Sequence, residues 1–581
     1  MKKGSFERDF IKIKKQFKQI EEIAKHTKGN ALWEHEVAVR KKLNALKEYE
    51  KENFRDYKNV YENYLELLEC ISIRLIQEYN KKNNTEFSFT DVVKGKRASY
   101  LKSGIITEHI PIFISREFDR VFPVNPKDEY KAARRIKRKI YLHLGETNTG
   151  KTFNAMQRLK EASNGIYLSP LRILALENFE RLNKEGTKCN LMTGEEEIII
   201  DGATHISCTI EKLNINETYE IGVIDEIQMI KDDQRGAAWT RALLALKSKE
   251  IHICGAFNAK ELLIKILEDC GDEYEIIEYF RDTPLKLEES AFSYKDIQAG
   301  DALVVFSKKK VLELAYYYSN IGKKASLIYG DLPPEVRKEQ YSQFINGDSV
   351  ILISTDAIGM GVNLPIKRIV FMDVKKFDGY DIRYLNSQEV KQIAGRAGRK
   401  GIYEVGFVAS YGNTQSFIRE NLASRDEVIE EAVLGPSEEI LKISGLSLRE
   451  KLALWSTKEE KTTFYRKMDI NEYLIVLDNI RSLKLDQITQ WRLLKIPFDV
   501  ANNDMMNAFL NYADELFIAK RDSISKPEYE VNGLYELELY YQKINLYYSF
   551  SKVFNLEFDQ QWVDDSRIKV SEDINVILKS I

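Results

Sequence analysis

Apolar and polar positions follow two different spacings along the chain, and each spacing predicts a kind of structure. Over residues 54–79, apolar side chains such as Val60, Tyr64, Leu67 and Ile71 recur every three or four positions, which predicts an amphipathic helix. From about residue 140, short β-rich runs alternate with longer helical stretches. The first such runs lie at 140–144, 165–168, 221–224 and 251–254. This alternation predicts right-handed βαβ units and a parallel sheet covered by helices on both faces.

A second series of β-rich runs follows the first. These runs lie at 303–306, 325–329, 350–354, 368–372 and 404–409. Residues 280–284 are predicted to form a linker between the two series, and after about residue 430 the pattern becomes helical, including 534–554. We therefore expect four domains. They are a basic helical N-terminal domain (1–135), two tandem α/β domains (136–282 and 283–430) and a helical C-terminal domain (431–581).

Length and composition restrict the class of protein. A chain of 581 residues is too long for one hydrophobic core, and its 44% apolar and 30% charged residues are ordinary for a globular protein. Its five cysteines are scattered without a CxxC pair, which disfavours a disulfide framework and a zinc module. The first residues are charged, and no apolar run approaches the roughly 20 residues that span a bilayer. We expect a cytoplasmic protein with no membrane partner.

Charge is unevenly distributed along the chain. Lysine and arginine outnumber acidic residues in residues 1–139, whereas the rest of the chain has an acidic excess, and the sum is −3. A positive lobe on an acidic body fits a partner with a phosphate backbone. A solvated, lysine-rich helical surface explains the same charge equally well.

A glycine-rich segment with the pattern GxxxxGK[ST] follows the first β-rich run. Glycines let backbone N–H groups turn inward around phosphate, and the helix that follows adds the positive end of its dipole. The residues expected to hold the phosphates are Gly145, Thr147, Asn148, Thr149, Gly150, Lys151 and Thr152. Lys151 should reach the β- and γ-phosphates, and Thr152 should bind Mg²⁺.

The run 221–224 ends in Asp225 and Glu226. At the end of a buried strand, Asp225 can bind Mg²⁺ while Glu226 orients and deprotonates the attacking water. An acidic turn with a purely structural role would be the better interpretation if this pair stood alone, but the upstream phosphate loop favours the catalytic role.

The segment 392–399 separates motor ATPases from other phosphate-loop proteins. Gln392, Arg396 and Arg399 are its candidate catalytic residues, and both arginines are predicted on one helical face, as fingers that stabilise charge on the transferring phosphoryl group. Since they belong to the second α/β domain, ATP would be clamped between two domains, and hydrolysis would loosen the clamp. An exposed basic helix is the alternative interpretation.

In this order, the three motifs make the sequence resemble a superfamily 2 DExH-type helicase, and more narrowly the helicase subunit of the mitochondrial RNA degradosome and its bacterial relatives. The resemblance is strong over residues 140–412, and weak in the C-terminal segment. It implies two tandem RecA-like parallel-sheet domains flanked by helical N-terminal and C-terminal domains. Two positions depart from the family pattern: Glu146 stands where proline is usual, and Ala256 where an acidic residue is common.

The resemblance also implies further site residues. Those expected along the nucleic-acid backbone are Ser169, Pro170, Arg172, Thr193, Gly194, Thr209, Ser307 and Thr355. Hydroxyls, glycine N–H groups and single arginines at loop positions suit phosphate contacts that do not read bases. Asp356, Gly359 and Gly361 would link the state of ATP to the strand path. The Asp378-Gly379 pair predicts a hairpin, either one placed against a duplex fork or an ordinary surface hairpin.

These features predict a nucleic-acid-stimulated ATPase with ATP and Mg²⁺ as cofactors. It would move along single-stranded or partly duplex nucleic acid, RNA being favoured, with a 3′ to 5′ direction implied by the resemblance, and would unwind duplexes. The alternatives are an ATP-driven clamp that remodels RNA or a ribonucleoprotein without processive unwinding, and a DNA-directed helicase. We expect a monomer, with an exoribonuclease or a ribonucleoprotein as candidate partner.

Overall fold

A computed structural model describes most of the chain. The described residues are 3–28, 30–47, 49, 54–83, 118, 121–359, 364–379, 381–399, 401–458, 460–529 and 533–581. Gly361, one of the predicted site residues, lies outside them. The chain divides into two compact units. The first contains Met1–Pro123, Pro436–Glu459 and Asp469–Lys520; the second contains Val124–Gly435, Glu460–Met468 and Arg521–Ile581.

Three long helices lead the first unit: α1 (Lys3–His26), α2 (Asn30–Lys47) and α3 (Tyr57–Asn83). The apolar positions predicted to share one face of α3 are indeed buried, including Tyr64, whose hydroxyl donates to the Ile13 carbonyl at 2.8 Å. Arg74 of α3 donates at 2.7 Å to the carbonyl of Ala24, near the C-terminus of α1, where unpaired carbonyls need donors.

The second unit begins with a short helix, α4 (Lys131–Arg134), and an eight-stranded sheet in the order β4-β3-β5-β2-β6-β7-β1-β8. Its strands are β1 (Lys139–Gly145), β2 (Gly165–Ser169), β3 (Cys189–Met192), β4 (Glu197–Ile198), β5 (His205–Thr209), β6 (Tyr219–Ile224), β7 (Ser248–Gly255) and β8 (Glu273–Tyr279). All pairings are parallel except that of β3 with β4. The helices along this stretch are α5 (Lys151–Lys160), α6 (Arg172–Lys184), α7 (Gly236–Ala245) and α8 (Lys260–Cys270).

A six-stranded parallel sheet follows in the order β11-β12-β10-β13-β16-β9. Its strands are β9 (Leu285–Leu287), β10 (Asp301–Val304), β11 (Ala325–Ile328), β12 (Ile351–Ser354), β13 (Arg368–Phe371) and β16 (Gly406–Ser410). A separate antiparallel hairpin joins β14 (Lys375–Phe377) to β15 (Ile382–Tyr384), which confirms the predicted hairpin. The helices are α9 (Lys308–Asn320), α10 (Pro334–Asn346), α11 (Ser387–Ala394) and α12 (Gln415–Ala423).

The rest of the chain is mainly helical, as predicted. A short parallel pair, β17 (Ala432–Leu434) and β18 (Tyr465–Lys467), belongs to the second unit. The remaining helices are α13 (Leu448–Thr457), α14 (Asn471–Ile480), α15 (Gln487–Leu494), α16 (Asn503–Phe517), α17 (Leu534–Phe554) and α18 (Gln560–Ser580). Two parallel α/β domains with helical flanks confirm the predicted fold class. Among the described helices, none is both long and apolar enough to cross a bilayer.

Candidate nucleotide site and nucleic-acid face

The phosphate loop joins the end of β1 to the start of α5. Asn148 and Gly150 take left-handed backbone conformations, with φ of 64° and 84°, so the chain turns sharply before the helix. The Lys151 ammonium lies across the loop and donates to the carbonyl oxygens of Gly145, at 3.0 Å, and Glu146. The helix begins at Lys151, so the N-terminal end of its dipole coincides with the loop.

Asp225 lies at the end of β6 and faces the phosphate loop. Its Oδ1 accepts from the Thr152 hydroxyl at 3.0 Å, and its Oδ2 accepts from the buried Tyr167 hydroxyl at 2.8 Å. Burial, with the Glu226 carboxylate beside it, raises the pKa of Asp225 to about 6. The two predicted metal ligands, Thr152 and Asp225, are therefore in direct contact.

Glu226 adopts a left-handed conformation with φ of 51°, which is uncommon for a residue with a side chain. The Gln228 amide donates to its carboxylate, and the same Gln228 accepts from the Ala256 backbone N–H at 3.1 Å. Gln228 thus joins Glu226 to the end of β7. The motif analysis assigned no role to Gln228, although its position two residues after Glu226 was an available signal.

The prediction that Arg396 and Arg399 lie on one face of a helix is wrong. The helix α11 ends at Ala394, and both arginines lie in the turn that follows. After Ala394 the helical bonds give way to tighter ones three residues apart, from the Arg396 N–H to the Ile393 carbonyl at 3.1 Å and from the Ala397 N–H to the Ala394 carbonyl at 3.0 Å, and Gly398 then turns the chain with a φ of 75°. Arg396 donates to the Gly359 carbonyl at 3.1 Å through Nε.

Charges of the two α/β domains meet at this turn. Burial lowers the pKa of Arg396, while the carboxylates of Glu226 and Asp225 act in the opposite direction. Burial likewise lowers the pKa of Lys151, and the same two carboxylates oppose the shift. A cationic group from the second domain therefore shares one electrostatic environment with the phosphate-loop lysine of the first.

The turn Asp356–Gly359 connects to this cluster. An added Cβ at Gly359 would lie 3.7 Å from the Gln392 side chain, so Gln392 packs against the turn that Arg396 holds through its carbonyl. Asp356 pairs with Lys376 of β14 at 3.1 Å, and Lys376 also pairs with Glu389 of α11 at 2.7 Å. The hairpin is therefore linked by ion pairs to the elements that carry Gln392 and Asp356.

In the first domain, the predicted nucleic-acid residues lie at the carboxyl end of neighbouring strands. Ser169 and Thr209 are opposite each other at the ends of β2 and β5. The Ser169 hydroxyl donates to the Leu171 carbonyl at 2.7 Å, and the buried Thr193 hydroxyl donates to the Glu196 carbonyl at 3.1 Å. These two hydroxyls stabilise their own loops in this structure.

Pro170 and Gly194 accept hydrogen bonds through their backbone carbonyl oxygens. Arg235 donates to Pro170 at 2.7 Å, and Ser549 of α17 donates to Gly194 at 2.9 Å. The loop after β3 therefore contacts the C-terminal helices.

Arg172 is surrounded by acidic groups. Its guanidinium pairs with Glu195 at 2.6 Å, with Glu196 at 3.1 Å and with Glu335 of α10 at 3.1 Å, and it donates to the Tyr541 hydroxyl at 3.0 Å. The side chain is only 10% exposed. A predicted phosphate contact is thus paired with carboxylates of two α/β domains and with a hydroxyl of α17.

In the second domain, the predicted hydroxyls of Ser307 and Thr355 also bond to nearby backbone groups. The Ser307 hydroxyl accepts from the Lys310 backbone N–H at 3.3 Å and caps α9, and the Thr355 hydroxyl accepts from Ala357 at 3.4 Å. Lys308, beside Ser307, pairs with the buried Glu538 of α17. No local pattern indicated this contact, because it joins residues 230 positions apart.

Two parallel-sheet domains in tandem, with a phosphate loop on the first and an arginine pair on the second, define the helicase core of superfamily 2. Family models match three parts of the chain: the DEXQ-box helicase domain of Suv3 (residues 126–279), the helicase conserved C-terminal domain (286–401) and the ATP-dependent RNA helicase SUV3 C-terminal domain (534–580).

Curated relatives agree with these models. The mitochondrial ATP-dependent RNA helicase SUV3 of Oryza sativa subsp. japonica is 37% identical over 74% of this chain and 78% of its own. The SUV3 of Candida albicans is 38% identical over 68% of this chain and 55% of its own, and that of Saccharomyces cerevisiae 40% over 54% and 45%. This chain thus spans about half the length of the last two relatives. It belongs to the SUV3 family of DExH-box ATP-dependent RNA helicases, which confirms the predicted family and enzyme class.

The expected cytoplasmic location is wrong. The relatives from Oryza, Candida and Saccharomyces are all named as mitochondrial proteins. Scattered cysteines indicate a reducing compartment, and a globular composition indicates a folded chain, but neither property is specific to the cytosol.

Proposed function

We propose that this chain is an ATP-dependent RNA helicase that hydrolyses ATP to move 3′ to 5′ along a single strand and displaces the paired strand. One observation carries the proposal: the phosphate loop of the first domain contacts the turn of the second that carries Arg396 and Arg399, where the Asn148 amide donates to the Gly398 carbonyl at 3.3 Å. A triphosphate on that loop touches both domains, so its hydrolysis changes how they are held together. RNA as substrate rests on the names of the relatives, and direction on the family resemblance.

The donor set fits Mg²⁺. Thr152 and Asp225 offer a hydroxyl and a carboxylate oxygen 3.0 Å apart, and Mg²⁺ is usually held by one or two carboxylates together with substrate phosphates and water. The described residues contain no group of three or more His, Cys, Asp or Glu able to bind a metal without a substrate. A bound divalent cation favours ionised Asp225 and opposes the rise in its pKa that burial and the Glu226 carboxylate cause. Thr152 and Asp225 would hold the ion, which would neutralise charge on the phosphates.

The remaining residues bind the phosphates, orient the attacking water and stabilise charge on the transferring phosphoryl group. Lys151 exchanges the carbonyls of Gly145 and Glu146 for phosphate oxygens. Glu226, positioned by Gln228, accepts a proton from the attacking water. Arg396 and Arg399 stabilise charge on the transferring phosphoryl group from the opposite domain.

On the nucleic-acid face, strand binding competes with internal contacts. Phosphate can replace the carboxylates around Arg172 and the Glu538 carboxylate at Lys308 because both kinds of anion accept from the same donors. Ser169, Thr193, Thr209, Ser307 and Thr355 add hydroxyls near this path.

Strand displacement tests the proposal. Matched RNA and DNA duplexes carry a single-stranded overhang at either the 3′ or the 5′ end, and release of the labelled strand is followed with ATP and Mg²⁺. We expect release of RNA duplexes with a 3′ overhang. ATP turnover that does not respond to single-stranded RNA or DNA would exclude a nucleic-acid motor.

A second candidate is an ATP-driven clamp that grips structured RNA without processive unwinding. It is favoured by α17, which contacts both domains through Tyr541, Ser549 and Glu538. A series of duplexes of increasing length separates the two functions, because a clamp would show RNA-stimulated hydrolysis while releasing only the shortest strands.

A further inference from the structure

We propose that Arg281, in the segment between the two α/β domains, is a positioning residue for Arg396 and Arg399. This proposal rests on the proposed ATPase function. Arg281 follows β8 and precedes β9. Its guanidinium donates to the carbonyl oxygens of Gly395, at 2.6 Å, Ala397 and Gly398, at 3.1 Å. One side chain thus binds three of the four residues from 395 to 398.

These three carbonyls belong to the turn that carries the arginines. Because α11 ends at Ala394, the turn lacks the continuous hydrogen bonding of a helix, and its backbone needs donors from elsewhere. Arg281 supplies them through a planar guanidinium that fixes several acceptors at once. The direction in which Arg396 and Arg399 leave the turn therefore depends on Arg281.

Arg281 is also hydrogen-bonded to the phosphate loop. The Glu146 carboxylate accepts from the Arg281 backbone N–H at 2.8 Å. This contact gives a role to Glu146, which stands where the family pattern has proline, because proline carries no acceptor in its side chain. Loop, linker and turn are joined through two adjacent sets of hydrogen bonds.

The turn and the loop are also in direct contact. A Cβ added to Gly395 would lie 2.7 Å from the Thr147 Cβ, and the Asn148 amide donates to the Gly398 carbonyl at 3.3 Å. A small displacement of the turn would therefore move the arginines relative to the phosphates. Misplacement of a catalytic group by about 1 Å can cost about a hundredfold in rate.

The test compares Arg281→Ala with Arg134→Ala in the full chain. Arg134 is a matched control because it also pairs with a main-chain carbonyl, that of Leu244 at 2.8 Å, and with Asp272 at 3.1 Å, near the opposite edge of the first sheet. We expect Arg281→Ala to lower kcat for RNA-stimulated ATP hydrolysis about a hundredfold, and to change the Kd of a non-hydrolysable ATP analogue by less than about twofold. Arg134→Ala should lower the melting temperature and leave kcat within about twofold of wild type.

Hydrogen exchange supplies a readout that does not depend on activity. Amides of residues 395–403 should exchange faster in Arg281→Ala and at the wild-type rate in Arg134→Ala. If Arg281→Ala has the same kcat and the same exchange rates as the wild-type protein, the positioning role of Arg281 would be overturned. If Arg281→Ala exchanges faster but the wild-type protein hydrolyses no ATP, the contact would be supported and the proposed function would be overturned instead.

Two substitutions of Glu146 separate a specific contact from general destabilisation. Glu146→Gln keeps an acceptor oxygen for the Arg281 N–H and should retain wild-type kcat. Glu146→Ala removes the acceptor and should lower kcat about tenfold with the Kd of the ATP analogue unchanged. Equal kcat in both variants would contradict the link from the loop through Arg281.

Discussion

The proposed nucleotide site and the first-domain part of the proposed nucleic-acid face both lie at the carboxyl ends of the strands of the first sheet, yet their predicted residues make different contacts. The nucleic-acid face is the surface that carries Ser169, Pro170, Arg172, Thr193, Gly194 and Thr209 of the first domain and Ser307 and Thr355 of the second. At the nucleotide site, Thr152 and Asp225 contact each other, and Lys151 and Glu226 share their environment. On the nucleic-acid face, Arg172 pairs with three carboxylates, and Ser169 bonds to its own loop.

The contrast follows from how each region is built. The nucleotide site is assembled from short segments at the carboxyl ends of β1 and β6, which only β7 separates in the sheet, so its first-domain residues meet once the sheet forms. The nucleic-acid face also includes α10 and α17, which approach from far along the chain and provide internal partners for its cations. Asp225 of the first region bonds to Thr152 of the same site, whereas Arg172 and Lys308 of the second bond to carboxylates of α10 and α17 and so also stabilise the fold.

The largest expected effect is at the arginine pair. Arg399→Ala should lower ATP turnover about a thousandfold, because an arginine finger acts on charge that appears in the transition state. Nucleotide affinity should stay within about threefold, measured as the Kd of a non-hydrolysable analogue. Arg419→Ala, an exposed position on α12 of the same domain, is the control. A loss confined to affinity would place Arg399 with ground-state binding instead.

Glu226→Gln comes next. Loss of the general base should slow hydrolysis by about a hundredfold or more while ATP binding remains, since the isosteric amide keeps the contact with Gln228. Single-turnover hydrolysis and equilibrium binding are the measurements. Glu278→Gln, which alters a partly exposed ion pair with Lys260, should leave both unchanged. Retained turnover in Glu226→Gln would remove Glu226 as the base.

Arg172→Ala tests the stabilising role of the nucleic-acid face. Removing a cation that is 10% exposed leaves three carboxylates without their partner and should lower the free energy of unfolding by about 2 kcal/mol, measured by urea denaturation. Lys338→Ala removes an exposed pair with Glu180 and should cost less than about 0.5 kcal/mol. If Arg172→Ala weakened RNA binding without any loss of stability, the contrast between the two regions would fail.

The smallest expected effect concerns the strand beneath the phosphate loop. His143 bonds to His252 and to Tyr279, each at 2.8 Å, and burial together with His252 lowers the pKa of His143 to about 4. The unfolded chain therefore binds this proton more tightly, so the stability that neutral His143 contributes is present above about pH 6.5 and is lost as pH falls toward 4.

We expect the free energy of unfolding, measured by urea denaturation, to fall by about 1.8 kcal/mol more in the wild type than in His143→Gln between pH 7 and pH 5. Glutamine keeps hydrogen-bonding groups at this position and does not titrate. His26→Gln, at an exposed position near the end of α1, should follow the wild-type profile. Equal pH dependence in wild type and His143→Gln would remove His143 as the source.

The sequence predicted the strands that are buried on both faces and missed those that are not. The interior strand β1, which pairs with β7 and β8, is a nearly continuous apolar run, and so it was found. At the edge of the sheet, β8 alternates half-buried residues with exposed glutamates, and β9 has only three residues. Such strands are held by pairing with neighbours, which local composition does not record.

The site was predicted in the same uneven way. Lys151, Thr152, Asp225 and Glu226 were identified because each motif is contiguous and follows an apolar strand. Arg281 and Glu538 were missed, since each acts through partners more than 100 residues away. The predicted helical face for Arg396 and Arg399 also failed, because the helix ends at Ala394, before both arginines, and Gly398 between them is left-handed.

By itself, the sequence determined the class of this protein: a phosphate loop after a strand, an Asp-Glu pair at another strand end, and an arginine pair in a second α/β domain. Backbone geometry within a few residues is enough to specify such motifs. Only the tertiary structure decided that Arg172 and Lys308 are paired with carboxylates, and that Arg281 holds the turn of the arginine pair. Those contacts depend on which distant elements the packed domains bring together, and no local pattern encodes them.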